Sequence, residues 1–500
     1  RFAFEELFLI QLNNLYQKFS LSKEKAPAMD NAERTISNAA KNLPFELTKS
    51  QKEALGEILI DLEKSEPMNR LLQGDVGSGK TIVAGLAALV SAHNGYQSAI
   101  MAPTEILARQ HYRTLAKLFP NFTQGIGLLV SKEVHVSYGE GLETEIKKPT
   151  FLKEISEGKV KILIGTHALI EKKVAFKNLG LVVVDEQHRF GVKQRAALSS
   201  HAGLVSHFLS MSATPIPRTI MMTMFGDLDL SIISELPKGR KEIITKIVEP
   251  ENRDKAYAFI RGQVRRGRQV FVVCPRIEPS EANPISSNWS SDWEQLEIKS
   301  VKEEYEKLAK TVFPDLKVAM LHGKMPAKGG SVLGGKVTKQ QVMADFAGGK
   351  VDILVSTSVI EVGVDVQNAT IMMIEGSERF GLAQLYQFRG RVGRGHHQSF
   401  CFLFTESPSK NTRDRLNSLL TAKNGLELAE KDLRFRGPGE FLGKEQAGMP
   451  DIAMQALQKP ELVKASRSAA ELVAKNGWEM KNYPDLYEKF REFRRKVHLE

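Results

Sequence analysis

Residues Gly74-Asp-Val-Gly-Ser-Gly79-Lys80-Thr81 combine glycines, a lysine and a hydroxyl at a spacing suited to phosphate chemistry. Gly74, Gly77 and Gly79 let backbone N–H groups close around phosphate oxygens, and a helix starting near Lys80 adds positive potential. Lys80 is placed to reach the β and γ phosphates of ATP, and the Thr81 hydroxyl to ligate Mg2+. A second constellation, Val182-Val-Val-Asp185-Glu186-Gln187-His188, puts two carboxylates behind an apolar run. Nucleotide hydrolysis needs one carboxylate for the metal and another to orient the attacking water. Asp185 is assigned to Mg2+ and Glu186 to the water. A glycine-rich turn with a surface lysine, or a solvated Asp–Glu pair, is the bland alternative for each motif alone. Together, each behind an apolar run, they point to one phosphate-handling edge of a parallel sheet.

The elements that must position these groups follow from periodicity. From 45 to 237, short apolar runs (Arg70–Leu72, Ser98–Met101, Lys161–Ile164, Leu181–Val184, Phe208–Ser210) alternate with amphipathic stretches. That rhythm is βαβ, with strands buried on both faces. It restarts over 238–405 with Val270–Cys274, Val318–Leu321, Ile353–Ser356, Thr370–Ile374 and Phe400–Phe404. The expected fold class is α/β: two tandem RecA-like parallel-sheet domains plus a small helical C-terminal unit over 406–500. Residues 1–44 read as a helical lead-in, with Phe4, Leu7, Phe8, Leu12 and Leu15 at helical spacing. The stretches Glu278–Ser300 and Gly329–Gly335 read as surface insertions.

With 500 residues the chain is too long for a single core. No run approaches the roughly 20 apolar residues of a bilayer span. The two cysteines, Cys274 and Cys401, exclude a disulfide framework and show no metal-ligand spacing. A formal charge of +11 suits a polyanionic partner without naming one.

Further strings carry a resemblance. Asp185-Glu-Gln-His188, Ser212-Ala-Thr214 and Gln387-Phe-Arg-Gly-Arg391-Val-Gly-Arg394 stand in the order found in superfamily-two helicases. Ala102-Pro-Thr-Glu-Ile-Leu-Ala-Arg-Gln110, Gly165-Thr-His-Ala-Leu-Ile170, Thr357-Ser-Val-Ile-Glu-Val-Gly-Val-Asp365 and Asp432-Leu-Arg-Phe-Arg-Gly-Pro-Gly-Glu440 narrow this. From about residue 1 to 460 the chain resembles the RecG family of bacterial branched-DNA helicases. The resemblance implies an ATP- and Mg2+-dependent motor on duplex, forked or four-way-junction DNA, monomeric, cytoplasmic and nucleoid-associated, with a contact to single-stranded-DNA-binding protein. It assigns Gln51 to adenine, Gly363 and Asp365 to ribose contact and domain coupling, and His188, Ser212 and Thr214 to relaying γ-phosphate state. Gln387, Arg391 and Arg394 take the catalytic places of the second domain, the two arginines as fingers for the γ-phosphate. Pro103, Thr104, Arg109, Thr166, His167 and Thr357 are assigned to the DNA backbone, as are Arg434, Arg436 and Gln446 of a translocation motif shared with the transcription-repair coupling factor. Within that motif, Pro438-Gly439 is expected to enforce a turn. The family's N-terminal wedge, an OB-fold, has no counterpart series of strands before residue 45. Two other functions compete: an RNA or single-strand helicase, and a nucleotide-dependent clamp without turnover.

Overall fold

Runs of Val, Ile and Leu four to seven residues long are too short for core helices and suit strands covered on both faces. Leu179–Asp185, buried along its whole length, is such a strand. The structure is a computed structural model. It describes residues 2–131, 133–139, 143–170, 173–186, 200–201, 204–214, 216–224, 226–237, 241–275, 301–322, 325, 338–357, 366–393, 395, 397–406, 409–422, 424–442, 456–478 and 483–496. The side chains of 170, 200, 201, 218, 219, 224, 340, 436–442 and 496 lie outside that description. Both expected insertions, 278–300 and 329–335, also fall outside it.

The chain divides into two compact units, 1–237 with 424–500, and 238–423. The first begins with helices α1 (Phe2–Ser22), α2 (Ala32–Lys41) and α3 (Lys49–Leu62). Then come β1 (Asn69–Gly74), α4 (Lys80–His93), β2 (Gln97–Met101), α5 (Glu105–Leu118), β3 (Ile126–Leu129), β4 (Val134–Ser137) and β5 (Glu143–Glu145). Next are α6 (Lys148–Glu157), β6 (Ile162–Gly165), β7 (Leu179–Asp185), a short hairpin β8 (Ser200–His201) and β9 (Leu204–Val205), β10 (His207–Ser212), α7 (Arg218–Met224) and β11 (Asp229–Ile233). Nine strands form one sheet in the order β11-β1-β10-β7-β2-β6-β3-β4-β5, antiparallel only at β3-β4 and β4-β5. All five expected strands of this region are present. The strands not among them are β3, β4, β5 and β11 of this sheet and the β8–β9 hairpin. β4 and β5 are short antiparallel strands at the sheet edge, and β5 (Glu-Thr-Glu) is fully exposed, so no apolar run marks it.

The second unit contains β12 (Ile244–Val248), α8 (Arg253–Arg265), β13 (Gln269–Val273), β14 (Val318–Leu321), α9 (Lys339–Ala347), β15 (Ile353–Ser356), β16 (Ala369–Ile374), α10 (Leu382–Arg389), β17 (Phe400–Phe404) and α11 (Lys410–Thr421). Its six-stranded sheet, β12-β17-β16-β13-β15-β14, is parallel throughout. β12 alternates exposed and half-buried positions, as an edge strand does.

The helical C-terminal stretch expected from 406 is divided between the units. α11 packs on β12 and α10 in the second. α12 (Gly425–Leu442), α13 (Pro460–Lys475) and α14 (Pro484–Lys496) belong to the first. The reason is apolar complementarity across the length of the chain. Leu7, Leu9, Ile10 and Leu12 of α1 share one core with Ile220 of α7, Leu433 of α12, Val463 of α13 and Phe490 of α14. Each such fully buried aliphatic side chain stabilises the unit by about 1.5–3 kcal/mol. The backbone is helical through Gly437-Pro438-Gly439, so the turn expected there is absent. Proline's fixed φ is compatible with a helix, but inside one it removes a hydrogen bond to the preceding turn and crowds the carbonyl there, at a cost of about 3 kcal/mol.

One buried histidine ties the lead-in to the sheet. His207 at the start of β10 accepts from the Met68 N–H at 3.1 Å and its Nε2 donates to the Pro27 carbonyl at 2.8 Å. Burial depresses its pKa, against the opposing pull of the Pro27 carbonyl and Asp61. The folded state therefore resists a proton that the unfolded chain accepts near pH 6.5. Its contribution is intact above about 6.5 and is lost as pH falls from there through the depressed folded value. Urea midpoints measured from pH 7.5 to 5 should fall less steeply for His207→Gln than for the parent chain.

Candidate nucleotide and metal site

Parallel order brings the chemistry to one edge. β1 and β7 both pair with β10, so the ends carrying Gly74, Asp185 and Ser212 lie side by side; Gln73 is in register with Ser212, and Met211 with Asp185. Between β1 and α4 the chain turns through two left-handed glycines, Gly77 at φ 78° and Gly79 at φ 92°. A β-carbon on Gly79 would collide with the Gln51 amide, so geometry and space both require glycine there. Lys80 is buried, and its Nζ donates to the carbonyls of Gly74 at 2.7 Å and Asp75 at 3.1 Å, inside the loop a phosphate would fill.

Gln51 sits at the same loop. Its Nε2 donates to the Ser78 carbonyl at 2.6 Å, and its Oε1 accepts from the Thr48 N–H at 2.9 Å, completing a capping box at the start of α3. Both ends of this 2% exposed amide are thus used by the protein in this structure. The adenine assignment would need those bonds exchanged.

Asp185 ends β7 and is buried. Its Oδ2 lies 2.9 Å from Nε2 of His111, whose Nδ1 lies 3.4 Å from the Thr81 hydroxyl. One imidazole therefore touches both residues assigned to Mg2+. Burial alone would raise the Asp185 pKa; the bond from His111, the charge of Lys80 and the Glu186 N–H outweigh it and hold the carboxyl below its ordinary range. A hydroxyl and an ionised carboxylate beside a phosphate loop are hard oxygen donors, which fits Mg2+ completed by phosphate oxygens and water. No group of three or more His, Cys, Asp or Glu side chains among the described residues forms a protein-only metal cage.

Glu186 follows in a left-handed conformation, φ 57°, with its N–H donating to the Met211 carbonyl at 2.9 Å. A non-glycine residue there carries strain of about 1–3 kcal/mol, of the sort that collects at functional positions. Ser212 and Thr214 close on each other, with hydroxyl oxygens 2.6 Å apart. His188 lies outside the described residues.

The residues assigned to DNA fare unevenly. Thr104 is the N-cap of α5, its hydroxyl accepting from the Leu107 N–H at 3.4 Å. Arg109 pairs with Glu105 and Glu133, so its charge is already countered by two carboxylates. Pro103 and Thr166 are partly exposed and His167 is exposed, at the starts of α5 and of a short 3-10 turn. Thr357 is fully buried behind β15, which removes it as a surface contact in this structure. Arg434 is exposed on α12 beside Phe435, which is 52% exposed. The backbone of Arg436 is helical and its side chain is outside the described residues, as is all of Gln446. In the second unit Gln387 lies on α10, partly buried; Arg391 follows that helix, its N–H donating to the Phe388 carbonyl at 3.0 Å. Arg394, Gly363 and Asp365 are outside the described residues.

His111 was not expected from the sequence. The available signal was its place on the buried face of an amphipathic helix, with Ala108, Tyr112 and Leu115. A polar residue on that face needs a partner.

A glycine loop between strand and helix, an acidic residue at the next-but-one strand end and a second parallel sheet define a P-loop NTPase of helicase type. Residues 48–223 match the DEAD/DEAH box helicase family and 251–396 the helicase conserved C-terminal domain. The chain is 44% identical over 494 residues to the ATP-dependent DNA helicase RecG of Aquifex aeolicus, covering 97% of this chain and 58% of that one. It is 40% identical over 490 residues to the RecG of Bacillus subtilis, covering 97% and 67%. A solved structure of RecG bound to a three-way DNA junction superposes with a TM-score of 0.74 at 39% identity, covering 94% of this chain and 56% of that one. The chain belongs to the RecG family. It spans little more than half the length of several relatives, 58% for that of Aquifex aeolicus and 55% for that of a Synechocystis strain.

Proposed function

We propose that this chain is the ATP-hydrolysing motor of a DNA translocase that acts on duplex or branched DNA and remodels stalled forks and Holliday-type junctions. The observation supporting this best is the convergence of Lys80, Thr81 and Asp185 at one sheet edge in a member of the RecG family. Thr81 and Asp185 hold Mg2+, which supplies charge neutralisation on the phosphates. Lys80 holds the β and γ phosphates, and Glu186 orients water for in-line attack. Arg391 and Arg394 stabilise charge on the transferring phosphoryl group. Nucleotide-driven closure of the two RecA-like domains, relayed by His188, Ser212 and Thr214, drives the DNA-contacting segments. The motor works as a monomer in the bacterial cytoplasm, at the nucleoid, and meets single-stranded-DNA-binding protein there.

Steady-state ATPase with no DNA, single-stranded DNA, linear duplex and a model fork tests this. Strong stimulation by duplex or fork supports the motor. Stimulation by RNA or single strands alone, or DNA binding without turnover, overturns it in favour of the competing readings. Arg436→Ala is expected to keep ATPase within about threefold while fork remodelling by a wedge-bearing protein falls roughly tenfold or more, since a backbone contact contributes movement and not chemistry. Unchanged fork remodelling would remove Arg436 from the translocation motif.

A further inference from the structure

We propose that His111 is the positioning residue that sets the metal pair Thr81 and Asp185, an inference that rests on the nucleotide reading above. Three observations carry it. The ring is buried, with 6% of His111 exposed, so its partners are fixed by the fold. Its two nitrogens reach the two metal-assigned residues, at 3.4 Å and 2.9 Å. Those residues come from different elements, the start of α4 and the end of β7, and neither is adjacent to α5 in sequence.

The polarity of these bonds shows what the ring does. A carboxylate only accepts, so Nε2 carries the proton and donates it to Asp185. With the ring proton on Nε2, Nδ1 is left as the acceptor, and the Thr81 hydroxyl turns its proton toward it. That orientation leaves the Thr81 lone pairs directed away from the histidine, available to a cation. It also takes one Asp185 oxygen, leaving the other for the metal or for its bound water. Groups that hold metal ligands in this way typically change metal affinity by about 10–100-fold when removed.

The test is equilibrium binding of a fluorescent ADP to the whole chain, with Mg2+ and with EDTA, for the parent, His111→Phe and His111→Gln. Phenylalanine keeps the volume and loses both nitrogens; glutamine, whose amide reaches as far as Nε2, can still donate to Asp185. His111→Phe should weaken Mg2+-dependent binding about tenfold while metal-free binding stays within about twofold, and His111→Gln should recover part of the loss. Metal-free binding also reports that each variant has folded. Equal weakening under both conditions would make His111 a packing residue and overturn the proposal, as would no change in either. If the parent chain bound ADP with no Mg2+ dependence, the metal-site reading itself would fall, and this inference with it. A Mg2+-dependent parent with an unaffected His111→Phe would sink the inference alone.

Discussion

Lys80→Ala should lower DNA-stimulated ATP turnover by at least about a hundredfold, the scale of losing one positioned charge at a developing anion. The lysine is buried in the loop, where its ammonium is held by two carbonyls at 2.7 and 3.1 Å. In a low-dielectric site a fixed cation acts more strongly on phosphate charge than it would in water. Alanine removes the charge and also leaves the Gly74 and Asp75 carbonyls without that donor, so nucleotide affinity should fall as well. A coupled-enzyme ATPase assay and fluorescent-nucleotide titration together separate the two effects. Turnover within tenfold of the parent would mean that the loop does not hold the reacting phosphates.

Arg391→Ala is expected to act on turnover alone. An arginine finger contributes on the order of 10³–10⁵ in rate by meeting charge that develops only in the transition state. Arg391 follows α10 in the second unit, while the phosphate loop is in the first. Ground-state nucleotide binding should therefore stay near that of the parent while kcat collapses. The contrast with Lys80→Ala is the useful readout: one variant loses affinity and rate, the other rate only. Arg391→Lys should not rescue, because an ammonium cannot reproduce the planar fork of donors. If Arg391→Ala retained more than about a tenth of parental kcat, Arg394 would inherit the role or the assignment would fail.

How much of this was legible beforehand depends on the range of the interaction. Strands buried on both faces announce themselves as apolar runs, and each one expected from them is present, from Arg70–Leu72 in β1 to Phe400–Phe404 in β17. Edge strands such as β5, exposed throughout, have no such signature. Arg109 is readable as a basic residue on a loop-helix junction, but its pairing with Glu133 depends on how a strand-edge turn comes back beside α5. Thr357 looks like a loop hydroxyl in sequence and is fully buried in the fold.

The phosphate loop, the carboxylate pair and the two-sheet α/β plan are written in residue order. They depend on contiguous residues: glycine torsions, short apolar runs and a strand-to-helix turn are local properties. Packing in three dimensions settles that α1 and the helices after 424 share one core with α7, because their apolar faces meet across more than 400 residues of chain. It alone placed His111 between Thr81 and Asp185, which are 30 and 74 residues away along the chain. It also engaged both ends of the Gln51 amide and turned Glu186 into a left-handed conformation. A side chain's partners across such distances are set by strand order and helix packing, which no local pattern of residue types encodes.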